Sequence, residues 1–154
     1  MSSVGIEFNK NIAIITIDNP PVNALGQSVR SGIADCISQA EKNDSTDAII
    51  IRCAGNTFIA GADIKEFGKP PQEPHLPAVV SIIEQCSKPV VAAIHGHALG
   101  GGFEVALGSH YRVADINAKI GLPEVNLGLI PGAGGTQRLP RLIGAKDALD
   151  IITS

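Results

Sequence analysis

Two apolar runs, AIIIRC at 48–53 and VVAAI at 90–94, constrain this chain most, because neither alternates with polar residues and each runs straight into a Gly-rich corner. Runs of this kind read as strands covered on both faces of a parallel sheet. The corners are AGNTFIAGAD at 54–63 and HGHALGGG at 95–102. Around them the pattern recurs. The spacing of Val29, Ile33, Ile37 and Ala40 predicts a helix over about 27–42, and Leu76, Val79, Val80 and Ile83 predict a second helix that ends before Lys88-Pro89. A short helix near ADIKEF, a helix from about Gly102 carrying FEVAL, and a strand in YRVAD continue the alternation. At the start, VGIEFN (4–9) and IAIITID (12–18) read as a hairpin. Strands alternating with helices imply right-handed crossovers and an α/β fold, its sheet mostly parallel and the hairpin on one edge. The Pro-rich KPPQEPHLP, 69–77, joins two segments of one pattern and reads as a surface loop, so residues 1–154 are expected to form a single domain. The units lack a regular sequence period, which disfavours a solenoid.

Composition removes several classes of function. A chain of 154 residues, 44% of them hydrophobic, can bury a continuous core without disulfides or a structural metal. The net charge of -3, with one Tyr and no Trp, lacks both the basic footprint and the stacking aromatics of a nucleic-acid binder. Cys36, Cys53 and Cys86 are odd in number, scattered and set in apolar segments. Reduced buried thiols and an intracellular location follow. Met1 to Lys10 offer no apolar stretch behind a basic start, and no segment approaches the roughly 20 apolar residues of a membrane span, so neither a secretory signal nor a span is expected.

Chemistry is concentrated at the corners. Free amides where a helix begins bind negative charge, although glycines there also serve merely to make tight turns. Neither corner ends in GK[ST] or contains GxGxxG, GAGGT at 132–136 fails the same spacing, and the chain has no GxSxG and no HExxH. Glu104 stands among Phe103, Val105, Ala106 and Leu107, where an unpaired carboxylate would be costly. Its bland alternatives are the wet face of a short helix, or a cap on the preceding glycine amides. Glu124 is the only charge in GLPEVNLGLIPG, and its bland alternative is a first-turn Glu favoured by helix polarity. Together the two form a candidate general acid/base pair, since burial and mutual repulsion raise a carboxyl pKa. His95 and His97 have HxH spacing but no third ligand, so no metal site is expected; Asp63 reads as a helix cap, and Lys65 and Arg138 as solvated surface.

Three segments, FIAGADIKEF (58–67), PVVAAIHGHALGGGFEVAL (89–107) and IGLPEVNLGLIPGAGGTQRLPRLIG (120–144), resemble the crotonase, or enoyl-CoA hydratase/isomerase, family, in family order and spacing. The stretch from Gly121 to Ser154 is most similar to the hydratase/isomerase part of multifunctional β-oxidation enzymes. The resemblance implies a crotonase-like fold, a spiral of ββα units. It implies that the amides of Ala62 and Gly101 form an oxyanion hole for a thioester oxygen, that Glu104 and Glu124 hold a water with help from the Gly132 amide, and that Ala24, Leu25, Ala60, Asp63 and Ile64 lie along coenzyme A. Hydration of a 2-enoyl-CoA to a 3-hydroxyacyl-CoA is the implied activity, with Δ3-Δ2-enoyl-CoA isomerisation left open. A non-catalytic CoA-binding or assembly module is the alternative. No metal or redox cofactor is implied, since coenzyme A belongs to the substrate. Family domains continue beyond this length, so Ser154 reads as a cut within a helix or at its end. The missing C-terminal helices, or a dehydrogenase domain, are then the expected partners, with self-association as the other outcome. The implied compartment is the cytoplasm in a bacterium, or a peroxisome or mitochondrion.

Overall fold

The computed structural model describes residues 3–153, so Met1, Ser2 and the expected cut at Ser154 lie outside the described residues. Strands β1 (Val4–Asn9) and β2 (Ile12–Ile17) form the expected hairpin, with Val4 opposite Ile17. Helix α1 (Gln27–Lys42) follows, then strand β3 (Ala48–Cys53), helix α2 (Leu76–Gln85) and strand β4 (Val90–Ile94). Next come β5 (His97–Leu99), α3 (Gly101–Gly108), β6 (Tyr111–Ala114), β7 (Lys119–Gly121), α4 (Gly135–Ile143) and α5 (Ala145–Thr153). Single 3-10 turns at Ile64–Glu66 and Pro123–Leu127 flank the corners.

A five-stranded sheet runs β1-β2-β3-β4-β6, parallel except for the opening hairpin. A smaller parallel sheet pairs β5 with β7, and Ile59 bridges to Ala98 on its other side. The order is a recurring ββα unit. In the later units the first strand joins the large sheet, the second segment joins the small one, and a helix then crosses back. Sequence periodicity did not resolve β5 and β7, because three residues are too few to display a period of two.

The core lies between the large sheet and α1 and α2. Ile15, Ile17, Ile49, Ile51, Val90 and Ala92 are wholly buried, as are Val29, Ile33, Ile37, Val79, Val80 and Ile83 on the helices. This corrects one expectation: Ile14, Ile50 and Val91, on the opposite face, are only half-buried, so the sheet is covered on one side. Continuous apolarity therefore does not require two covering layers. The Pro-rich loop also ends earlier than expected, since Leu76 and Pro77 are the first residues of α2, where proline's missing N–H costs no helical bond. All three cysteines are free and buried. Burial pushes the Cys53 thiol above its ordinary value.

One organising residue is a charged one at the edge of the apolar stripe of α1, three residues before Ile33 and seven before Ile37. Arg30 is buried; its guanidinium donates to the carbonyls of Leu25, Pro74 and Gln72 at 2.8, 2.8 and 3.0 Å and pairs with Glu66 at 2.7 Å. It thereby fastens the 63–75 loop to the sheet's helical layer. Arg30→Met is expected to cost about 2 kcal/mol in urea denaturation, because three carbonyls, that of buried Leu25 among them, lose their donor and Glu66 loses its partner. A loss near zero would mean that the loop is held by its apolar contacts alone.

Candidate active site

The two Gly-rich corners meet. Gly61 (φ +99) and Gly100 (φ +53) both adopt the left-handed region that favours glycine, and a side chain built on Gly100 would lie 3.9 Å from the Gly61 Cα. The pairing is held by backbone bonds: Ile59 N–H donates to His97 O at 3.1 Å, and Leu99 N–H donates to Ile59 O at 3.0 Å. Asn23 braces the first corner, its side-chain amide donating to Ala54 O and Thr57 O at 2.9 Å each. Among the described residues, neither the Ala62 N–H nor the Gly101 N–H is taken by a backbone acceptor, and Gly101 opens α3, whose first amides have no intrahelical partner.

Glu104 lies one turn into α3. Every residue of this helix is buried, and Glu104 itself is 2% exposed. That removes the wet-face alternative. The capping alternative is also displaced, because the carboxylate reaches a different loop: its Oε1 accepts N–H bonds from Ala133 and Gly135, both at 2.8 Å. One oxygen of a buried carboxylate is thus satisfied by two backbone donors. Its Oε2 accepts no bond from the described residues. Glu124 opens the 3-10 turn at Pro123–Leu127, as the helix-polarity alternative requires, yet its Oε2 is buried without a hydrogen-bond partner. Its Oε1 would lie 3.1 Å from a side chain placed on Gly100. Burial pushes the Glu124 carboxyl above its ordinary value; a bond from its own amide opposes this, and the charge of nearby Glu104 adds to it.

A cavity of ≈ 380 Å³ gathers these groups: Ala62 and Gly101, Glu104 and Glu124, Gly132, Ala60 and Ile64 all border it. The remaining expected residues lie outside it. Asp63 borders a neighbouring groove, and its carboxylate caps the Ile64–Glu66 turn by accepting from Lys65 N–H at 3.0 Å, so the capping reading describes it. Leu25 is a core side chain, 1% exposed, whose N–H donates to Gly61 O at 3.0 Å; it and Ala24 border neither space. His97 begins β5, and His95 Nε2 lies 3.1 Å from Gly55 O. Arg138, expected as solvated surface, is instead pinned: Glu84 takes its Nε and Nη2 at 2.9 and 2.7 Å. Arg30, Asn23 and the Ala133 and Gly135 amides escaped the sequence reading. Only Asn23 carried a local signal, as an Asn between Pro21 and Gly26, a residue type that tolerates the positive φ it adopts in the structure.

The raised Glu124 pKa gives a stability prediction. The folded state holds the Glu124 proton more tightly than the unfolded state, so stability from this proton is full below the ordinary value of 4.5 and is lost as pH rises through the folded value. Glu124→Gln is therefore expected to melt higher than the parent chain at about pH 8, with the difference vanishing below about pH 4. Thermal melts at both pH values check this, and an advantage confined to acid pH would contradict it.

Chemically, a largely apolar cavity bordered by two residues with unpaired amides and by two carboxylates can stabilise an oxyanion while moving a proton. A family profile described as enoyl-CoA hydratase/isomerase matches residues 7–154. The peroxisomal bifunctional enzyme of Danio rerio is 51% identical over 145 residues, covering 94% of this chain and 20% of the relative. A probable enoyl-CoA hydratase of Bacillus subtilis is 45% identical over 161 residues, covering 100% of this chain and 62% of the relative. Among solved structures, an enoyl-CoA hydratase from Bacillus anthracis superposes with a TM-score of 0.92 at 34% identity, covering 99% of this chain and 63% of that one. The fold is therefore the crotonase-like one, and the chain spans 20% and 62% of the lengths of the two curated relatives. With the family profile running over nearly all of its length, this chain belongs to the enoyl-CoA hydratase/isomerase family.

Proposed function

We propose that this chain carries the active centre of an enoyl-CoA hydratase acting in fatty-acid β-oxidation. The observation that supports this reading best is the shared cavity, bordered by Glu104, Glu124 and the two residues with unpaired amides, Ala62 and Gly101. Adding water across a 2-enoyl thioester places negative charge on the carbonyl oxygen. Two preorganised N–H donors at that position each contribute about 3 to 4 kcal/mol to the transition state. Glu104, through its unbonded Oε2, takes a proton from water as the water oxygen bonds to C3, and the C2–C3 π electrons pass to the thioester oxygen. Glu124 then delivers a proton to C2 as the enolate collapses to a 3-hydroxyacyl-CoA. Return of the proton from Glu104 to Glu124 through solvent resets the site. Gly132, at the edge of the same cavity, offers its amide to the water. The upward-shifted Glu124 suits the donor role.

Isomerisation needs only one proton shuttle, which Glu124 provides between C2 and C4. The chemistry asks for no metal or redox group; coenzyme A arrives with the substrate, and Ala60, Ile64 and Asp63 lie where it would run. A CoA-binding or assembly module is the second reading. It is favoured by the open apolar rim, where Leu127, Leu129 and Ile130 are 67%, 48% and 80% exposed. That rim also supports a covering partner, whether a second copy, C-terminal helices or a dehydrogenase domain. The setting is intracellular: cytoplasmic for a bacterial chain, peroxisomal or mitochondrial otherwise. No described helix is long and apolar enough to cross a membrane.

Mixing the chain with a short 2-enoyl-CoA and following the conjugated thioester absorbance, beside a CoA-binding titration, tests the assignment. Loss of absorbance is expected. Binding without turnover selects the module instead.

A further inference from the structure

We propose that Arg138, clamped by Glu84, is a positioning residue for Glu104: it fixes the turn whose two amides hold the carboxylate. The inference rests on the reading of Glu104 as the water-activating base. The carboxylate's Oε1 is held by Ala133 and Gly135 N–H at 2.8 Å each, and these donors stand on either side of Gly134. The turn is GAGG, 132–135, with Gly134 at φ +92; the Gly134 carbonyl accepts from Gln137 and Arg138 N–H at 3.0 and 2.9 Å, which anchors the Gly135 side to α4 but not the Ala133 side.

The guanidinium of Arg138 supplies the missing constraint. Its Nη1 donates to Ala133 O at 2.8 Å, gripping from the carbonyl side the residue whose N–H grips Glu104. The arginine folds back across Gly134 to do so, and a side chain there would lie 2.2 Å from Arg138 Nη1. The opposite edge of the guanidinium is taken bidentately by Glu84, Nε at 2.9 Å and Nη2 at 2.7 Å. A bidentate carboxylate fixes the guanidinium plane as a single contact could not. Glu84 belongs to α2, whose first residue, Leu76, borders the active-site cavity. One chain of contacts thus links α2, α4 and the carboxylate of α3.

The alternative is an ordinary ion pair between α2 and α4. With the Glu84 side chain 50% exposed, such a pair contributes little to stability. The two readings diverge on charge reversal. An ion pair survives the exchange Glu84→Arg with Arg138→Glu, whereas the bond to Ala133 O does not, because a carboxylate has no donor for a carbonyl.

Arg138→Met is expected to lower kcat for 2-enoyl-CoA hydration by about 10- to 100-fold with KM changed less than about 3-fold, as follows from a misaligned base in an intact binding site. The double reversal should not recover kcat, while Arg138→Lys, which keeps a donor, should recover part of it. Wild-type kcat in Arg138→Met, or full recovery in the reversal, overturns the proposal. Hydrogen exchange by NMR provides a readout independent of turnover: in Arg138→Met the Ala133 and Gly135 amides should lose protection while those of α1 and α2 keep theirs. Unchanged protection at both amides overturns the proposal. An unsubstituted chain without turnover, but with both amides exposed by Arg138→Met, defeats the hydratase reading while leaving the positioning role intact.

Discussion

Glu124→Gln is expected to slow hydration of a short 2-enoyl-CoA by about 10²–10⁴-fold, the range for losing a positioned general acid, with CoA affinity within about 2-fold of the parent chain. The amide is close to isosteric with the carboxyl group. It preserves the packing against Gly100 and removes the charge, though not the polarity, at the buried position that has no hydrogen-bond partner. What it removes is a transferable proton. The loss should therefore fall on kcat, the pattern of an interaction made only during the chemical step. Glu104→Gln separates the two family reactions. Its carbonyl oxygen can still accept from Ala133 and Gly135, so the α3–α4 junction should hold, yet it can no longer take a proton from water. Hydration should fall by a similar factor of about 10²–10⁴. Isomerisation of a 3-enoyl-CoA, which needs only the Glu124 shuttle, should fall far less. Both reactions assayed in both variants decide the division of roles, and turnover unchanged in both variants would sink the assignment of this carboxylate pair.

How far the sequence discloses such a site depends on how local its determinants are. The 48–53 and 90–94 strands were legible because apolar runs before Gly corners are local signals, and α1 was bounded correctly by its own periodicity. Glu104 was conspicuous because a charge inside FEVAL has few inexpensive explanations. Its actual satisfaction by Ala133 and Gly135, 29 and 31 residues later, was not legible, since those donors are backbone groups with no side-chain signature. Arg30 and Arg138 were hidden for a related reason. Each is a charge of the kind usually solvated on a helix, and only long-range folding brings carbonyls and carboxylates to its guanidinium. The one-sided sheet was misread because apolarity reports what a strand tolerates, whereas cover depends on which helices cross it.

Gly102→Ala is expected to destabilise the chain by about 3 kcal/mol or more and to abolish most turnover, though residue 102 carries no chemistry. A side chain at 102 would lie 2.2 Å from the Ile59 carbonyl oxygen and 2.7 Å from the Ile59 side chain. Ile59 has no room to retreat. It is wholly buried, its N–H is bound to His97 O at 3.1 Å, and its carbonyl accepts from Leu99 N–H at 3.0 Å. The strain must then move α3 away from the 58–60 segment, which leads directly to Ala62. Since Gly101 is the first residue of α3, that movement separates its amide from the Ala62 amide, and it draws Glu104 off the turn at 133–135. Stability and the proposed oxyanion geometry are therefore expected to fail together, through one contact. Gly5→Ala is the control: nothing lies within 4 Å of a side chain added there, and alanine in a strand is expected to be neutral or stabilising by up to about 1 kcal/mol. Urea denaturation and enoyl-CoA turnover of the two variants provide the comparison. If Gly102→Ala matched Gly5→Ala in both, the approach of α3 to Ile59 would not be what holds the two corners at the spacing an oxyanion needs.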